Sequence, residues 1–85
     1  MRIWAKLFTG EKMIRSKIFE NDLPCTCENY EKTLMNLCDA WDIPTPILLK
    51  NNFYHFETFH ITRYPAKNFV ESVPFDALVL EDATL

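Results

Sequence analysis

Residues 2–20 read RIWAKLFTGEKMIRSKIFE, and this stretch decides the fold of the chain. Apolar and polar residues alternate on both sides of Gly10, and a period of two is typical of β-strands. Glycine at the first of two central turn positions suits a type II′ turn, whose twist matches that of the flanking strands. Such a turn pairs Thr9 with Lys12, so the stretch predicts an antiparallel hairpin with a regular register.

This register places the apolar side chains of both strands on one face. Ile3 then lies opposite Ile18, and Leu7 lies opposite Ile14, because paired residues of adjacent strands share a face. Ala5, between them, lies opposite a serine. We therefore expect one face of the hairpin to enter the core.

A helix is predicted after the hairpin. Thr26 is a suitable N-cap, because its hydroxyl can accept a hydrogen bond from the first turn. Apolar residues then recur at helical spacing and form a single stripe, and they are Tyr30, Leu34, Leu37, Cys38 and Trp41. Pro44 and Pro46 end the helix by Asp42 or Ile43, since a residue before proline avoids the helical region.

The second half of the chain has weaker patterns. Residues 47–50 are short and apolar and favour an extended segment or strand. Aromatic residues crowd the region 53–64, where we expect a short helix or turn over residues 52–58. Residues 75–81 are the clearest late strand. Residues 47–70 are then left to cover the other face of the sheet or to pack beside it.

These elements predict one α+β domain over residues 1–85, of ββαβ type. Its antiparallel sheet combines the N-terminal hairpin with the C-terminal strand and packs on one main helix. The expected core is formed by large apolar residues from all of these elements, namely Ile3, Leu7, Ile14, Ile18, Leu34, Leu37, Trp41, Leu78 and Leu80.

Short motifs spread over most of the chain give it a family resemblance. They are Met1-Arg2-Ile3-Trp4-Ala5-Lys6, Asp42-Ile43-x-x-Pro46-Ile47, His60-x-Thr62-Arg63-Tyr64, Asn68-Phe69-Val70-Glu71 and Phe75-Asp76-x-Leu78. The chain thereby resembles a group of small uncharacterised proteins from anaerobic Gram-positive bacteria. The resemblance implies a bacterial, cytosolic, stand-alone domain and carries no activity with it.

Composition points to the cytoplasm. The net charge is -3 and the pI about 5.2. No run of 18 apolar residues is long enough to cross a membrane, and the first residues lack the apolar core of a signal peptide. Three cysteines make a poor disulfide framework because the number is odd, so free thiols in a reducing compartment are expected.

No metal, cofactor or catalytic site is predicted. Structural zinc sites pair their ligands two to four residues apart, whereas Cys25 and Cys27 have one residue between them and Cys38 lies on the helix stripe. A single glycine rules out a glycine-rich phosphate loop. His55, His60 and the cysteines form no nucleophile–base signature, and we therefore expect a non-enzymatic protein.

The other face of the hairpin is the candidate binding surface. The regular register gathers there three aromatic and three basic side chains, which are Trp4, Lys6, Phe8, Arg15, Lys17 and Phe19. It also sets Lys6 directly opposite Arg15, a like-charge pair that costs stability. Residues 1–20 carry five Lys or Arg and two Glu, a net +3, while residues 21–85 carry four and ten, a net -6.

Several roles for this basic-aromatic face remain open. Residues 53–64 could cover it within the monomer, with Trp4 at least half covered by them or by a second copy. It could instead bind another protein or self-associate, because exposed Trp, Phe, Met and Arg are enriched at interfaces. Single-stranded nucleic acid could stack on the aromatics, although an acidic pI disfavours that role. The acidic remainder suggests one more alternative, an inhibitor of a nucleic-acid-processing enzyme. Our expectation is a small protein-interaction module.

Overall fold

A computed structural model describes residues 1–84 and shows an α+β architecture. The elements are, in chain order, β1 (Arg2–Thr9), β2 (Lys12–Glu20), α1 (Cys27–Ala40), α2 (Lys50–Phe59), β3 (Ile61–Pro65) and β4 (Ala77–Asp82). The strands form one antiparallel sheet in the order β2-β1-β4-β3. The predicted fold class, an antiparallel sheet of hairpin and C-terminal strand packed on helix, is confirmed.

The hairpin turn forms as predicted. Gly10 has a φ of 60°, as the first central position of a type II′ turn requires, and Thr9 pairs with Lys12. The backbone N–H of Gly10 also donates to the carboxylate of Asp76, which ties the turn to the segment before β4. The hairpin is thus fixed at its tip by both local geometry and a distant side chain.

The register of the hairpin differs from the prediction after Met13. Phe8 pairs with Met13 but Leu7 pairs with Arg15, which leaves Ile14 as an extra residue in β2. Such a β-bulge shifts the register by one residue and turns every later side chain of that strand to the opposite face. The predicted pairs of Leu7 with Ile14 and of Lys6 with Arg15 are therefore wrong.

The bulge changes which residues of β2 enter the core. Ile3 lies opposite Phe19 and not Ile18, while Ile14 and Ile18 remain 47% and 41% exposed. The prediction that both isoleucines are core residues is wrong. The aromatic ring of Phe19 instead packs edge-to-face on Trp41, with ring centroids 5.6 Å apart. This contact with α1 accounts physically for the shifted register.

Helix α1 forms where the sequence predicts it. The Thr26 hydroxyl accepts a hydrogen bond from the backbone N–H of Asn29 at 3.2 Å, and Trp41 is the C-cap. The apolar stripe of the helix is buried against one face of the sheet, and with it the core contains Ile3, Leu7, Tyr30, Leu34, Leu37, Cys38, Trp41, Leu78 and Leu80. The other seven residues of the predicted core are therefore correctly placed.

The region 47–70 does not cover the other face of the sheet. Helix α2 packs beside α1, where Phe56 and Tyr30 have ring centroids 4.9 Å apart. Strand β3 joins the sheet at its edge, with Thr62 and Tyr64 buried. The two α-helices thus lie on the same face of the sheet.

Residues 47–49 form no strand, and the N–H of Ile47 donates to the carbonyl of Asn68.

Candidate interaction surface

The face of the sheet opposite the helices is called the outer face here. Strand pairing places side chains from every strand on it, among them Arg2, Trp4, Lys6, Phe8, Met13, Ser16, Ile18, Glu20, Ile61, Arg63, Val79 and Glu81. Neither α-helix packs on this face. Its apolar side chains range from the partly buried Trp4, Phe8 and Val79 to the exposed Ile18 and Ile61.

The centre of the outer face is a cluster of three side chains. The Lys6 ammonium lies 3.7 Å from the centroid of the Trp4 ring and 2.6 Å from a carboxylate oxygen of Glu81. The Lys6 side chain is only 14% exposed. Its charge is therefore satisfied by a carboxylate and an aromatic face, in an arrangement that holds the Trp4 ring flat beneath the lysine stem.

Two isoleucines extend this centre across the sheet. Ile18 pairs with Trp4 on one side, and Ile61 pairs with Glu81 on the other, so one row crosses all four strands. Ile61 is 44% exposed, close to the value for Ile18. With strands about 4.8 Å apart, the two isoleucines lie about 14 Å from each other. The row presents apolar surface around a neutralised ion pair.

The structure divides the six predicted site residues between two faces. Trp4, Lys6 and Phe8 lie on the outer face as predicted, with Lys6 opposite Ser16. Arg15, Lys17 and Phe19 lie on the helix side, because the bulge at Ile14 reverses the faces of β2 after that residue. The continuous basic-aromatic face predicted from the regular register does not exist.

The three displaced residues form a separate group beside α1, called the edge cluster here together with Trp41. The Arg15 guanidinium lies 4.8 Å from the centroid of the Trp41 ring and donates to the Trp41 carbonyl at 3.3 Å. The Lys17 ammonium lies 5.3 Å from the centroid of the Phe19 ring. Both cations thus extend over aromatic rings at the open edge of the sheet.

Trp4 is partly buried by its neighbours in the sheet. The expectation that residues 53–64 fold over it is wrong. Helix α2 packs on the helix side of the sheet, and Ile61 lies two strands away from Trp4, with Glu81 between them. Lys6 provides the contact over the ring. The accessible part of Trp4 is consequently open to a partner.

The cysteines and histidines are not gathered into a metal-ligating group in the part of the chain that the structure describes. No three His, Cys, Asp or Glu residues of positions 1–84 lie close enough to hold a metal ion. Burial raises the pKa of the Cys25 thiol, and the charges of Asp82 and Glu57 raise it further, opposite to the shift that activates a nucleophile. His60 contacts Asp82 at 3.5 Å in an exposed position.

A buried pair of tyrosines escaped the sequence analysis. The hydroxyls of Tyr30 in α1 and Tyr64 in β3 lie 2.8 Å apart inside the core. Burial raises the pKa of both, that of Tyr64 to about 12 even though the hydrogen bond from Tyr30 lowers it. Both therefore stay neutral and join the helix layer to the sheet. The sequence places Tyr30 in the apolar stripe of the helix, but nothing in the spacing indicates its partner.

Comparison with family models, with curated proteins and with solved structures finds no significant match to this chain. Within residues 1–84, neither helix has the length and apolar character needed to cross a membrane. A functional assignment therefore rests on the geometry of the outer face and of the edge cluster.

Proposed function

We propose that this chain is a non-enzymatic interaction module that binds another protein through the outer face. The observation that carries the proposal is the row from Ile18 through Trp4 and Glu81 to Ile61, which crosses all four strands and keeps its two isoleucines 41% and 44% exposed. Protein interfaces have an apolar centre in which tryptophan is a frequent anchor and unpaired charges are few. The row has this composition, because its central ion pair is satisfied within the chain.

The distribution of cations favours a protein over a single-stranded nucleic acid. Nucleic acid binding needs free Lys or Arg beside stacking aromatics, since phosphate contacts supply most of the affinity. Lys6, the cation nearest to Trp4, already contacts Glu81 at 2.6 Å. Arg15 and Lys17 lie on the opposite face. Arg63 remains as an exposed cation of the outer face.

Charge insertion on the outer face tests the proposal. Ile18→Glu and Ile61→Glu each place a carboxylate in the apolar row without opening a cavity, because both side chains are exposed. Val70→Glu is the matched control, since Val70 is 86% exposed and lies outside the sheet. Each variant and the wild-type chain would be immobilised and exposed to a lysate of the source organism, with the retained proteins identified by mass spectrometry.

We expect a partner that the wild-type chain and Val70→Glu retain and that both outer-face variants lose, while circular dichroism shows the native fold in each. Ile61→Glu should melt somewhat below the wild-type chain, because residue 61 lies opposite Glu81. Retention of the same proteins by all four chains would overturn the proposal. Sedimentation of the purified chain resolves the case of a second copy: a dimer that dissociates in Ile18→Glu and Ile61→Glu identifies self-association as the function of this face.

A further inference from the structure

The two edges of the sheet are built differently. At the β3 edge, the side-chain amide of Asn52 donates to the carbonyl of Arg63 at 3.2 Å, and Pro65 has no N–H to offer. At the opposite edge, β2 runs for nine residues and pairs only with β1 among the strands of residues 1–84. Unpaired edge backbone is a template for another strand, and of the two edges β2 is the one left open.

The side chains of β2 define what such a strand must carry. Ser16 and Ile18 point to the outer face, while Arg15 and Lys17 point to the helix side. An added strand has its residues directly opposite these, alternating in the same way. Apolar or small residues suit the outer positions, and acidic residues suit the positions opposite the two cations.

A second copy of β2 does not meet this requirement. Antiparallel pairing of two β2 strands centred on Ser16 sets Arg15 of each copy against Lys17 of the other. Like charges directly opposite one another disfavour the pairing, and cations on edge strands commonly prevent such self-association. The charge pattern of the edge therefore selects an acidic partner over a copy of the chain.

A cleft beside the end of β2 supplies a third contact. It has a volume of about 200 Å³ and lies between β2 and α1, where the apolar Phe19, Leu37 and Ala40 line it together with the polar Glu20, Asn21, Thr33 and Asn36. Phe19 follows Arg15 and Lys17 on the helix side of the strand. An added strand with two acidic residues on that side would therefore direct its next residue on the same side towards this cleft.

We propose that the free edge of β2 binds an extended acidic protein segment by strand addition. Two carboxylates of the segment lie opposite Arg15 and Lys17, and an apolar side chain two residues further along enters the cleft beside Phe19. This site lies at the backbone edge of β2, where it shares Ser16 and Ile18 with the outer face but not Trp4 or Ile61, and a segment bound there continues the sheet from four strands to five.

The probe is a fluorescently labelled peptide, Thr-Glu-Val-Glu-Val-Leu-Thr, together with its reversed sequence, because the added strand can run in either direction. A peptide with Lys in place of both Glu residues is the charge control. Binding would be followed by fluorescence anisotropy at low salt, and amide hydrogen exchange would report protection of residues 12–20. We expect one Glu peptide to bind with increased protection in β2, and the Lys peptide to bind at least about threefold more weakly.

Two sets of variants decide the mode of binding. Lys17→Glu should lower the affinity for the Glu peptide at least about threefold. Lys67→Glu, an equal charge change beside the far edge of the sheet, should leave that affinity unchanged. N-methylation of one alternate set of peptide amides should abolish binding, and methylation of the other set should not, because only one set faces β2. Ile61→Glu, which tests the outer face, should have no effect on the peptide.

Absence of binding by both Glu peptides at millimolar concentration would overturn the proposal. Equal losses from Lys17→Glu and Lys67→Glu, or from both N-methylated sets, would do the same. Loss of binding in Ile61→Glu would assign the peptide to the outer face instead of the edge. Conversely, peptide binding at the edge stands even when the outer-face variants retain every protein in the lysate.

Discussion

Replacing Ile3 and Ile18 in turn by threonine measures the hairpin register directly. A regular hairpin buries both isoleucines equally, whereas the bulge at Ile14 leaves Ile3 fully buried and Ile18 41% exposed. Threonine keeps the β-branched shape that strands favour, so strand propensity changes little. At Ile3, the loss of one methyl group lowers the free energy of unfolding by about 0.8 kcal/mol. Burying a hydroxyl among apolar side chains lowers it by about 1–3 kcal/mol more.

The expected cost of Ile3→Thr is therefore about 2–4 kcal/mol, against about 0.5 kcal/mol for Ile18→Thr, whose hydroxyl can reach water. For a chain of this size the first change lowers the melting temperature by about 8 °C or more. Urea unfolding, followed by the fluorescence of Trp4 and Trp41, gives both free energies. Equal losses for the two variants would refute the bulged register and restore the regular one.

Three further predictions concern the buried and titratable groups. Tyr30→Phe leaves the Tyr64 hydroxyl without its partner and should cost about 1–3 kcal/mol in urea unfolding, with the double Phe variant costing less than the sum of the two single changes. Burial raises the pKa of Asp82, but hydrogen bonds from Thr84 and His60 outweigh this effect and lower the pKa below 3.8. Asp82→Asn should therefore lower the free energy of unfolding at pH 7. The difference in stability between the variant and the wild-type chain should vanish as the pH falls below 3.8. Burial raises the pKa of Cys38 to about 12 against a smaller opposing hydrogen bond to Thr45, so iodoacetamide should modify it only after unfolding, while exposed Cys25 reacts in the folded chain.

Helix α1 could be predicted because its signals are local. The Thr26 cap, the spacing from Tyr30 to Trp41 and the two prolines all lie within one stretch, and each acts on the backbone of its neighbours. The same holds for the turn at Gly10, where one residue type determines the geometry. In both cases the residues that specify the element are also the residues that form it.

Strand β3 and the full length of α2 could not be read in this way. Residues 61–65 end in proline and follow a segment rich in aromatic residues. Their alternation of exposed and buried side chains covers only five residues, and the neighbouring aromatic residues obscure it in the sequence. Their place in the sheet depends on β4, which begins at Ala77 after 11 intervening residues. The C-cap of helix α2 is His60, which has a φ of 63°. Histidine adopts this left-handed conformation more readily than most residues, but no neighbouring residue in the sequence indicates that the helix ends there.

The bulge at Ile14 was invisible in the sequence because its cause lies in α1. Both registers give β2 an alternating pattern, and the contacts of Phe19 and Arg15 with Trp41 form in the shifted one. The functional consequence is larger than the single extra residue suggests. With a regular register, the net +3 of residues 1–20 would form one stripe suited to phosphate groups. With the bulge, Lys6 is neutralised at the centre of the outer face, and Arg15 and Lys17 border an open strand edge. In the proposal made for the β2 edge, the positive charge of the hairpin disfavours pairing with a second copy and selects an acidic segment, whereas no stripe of free cations is left for phosphate groups.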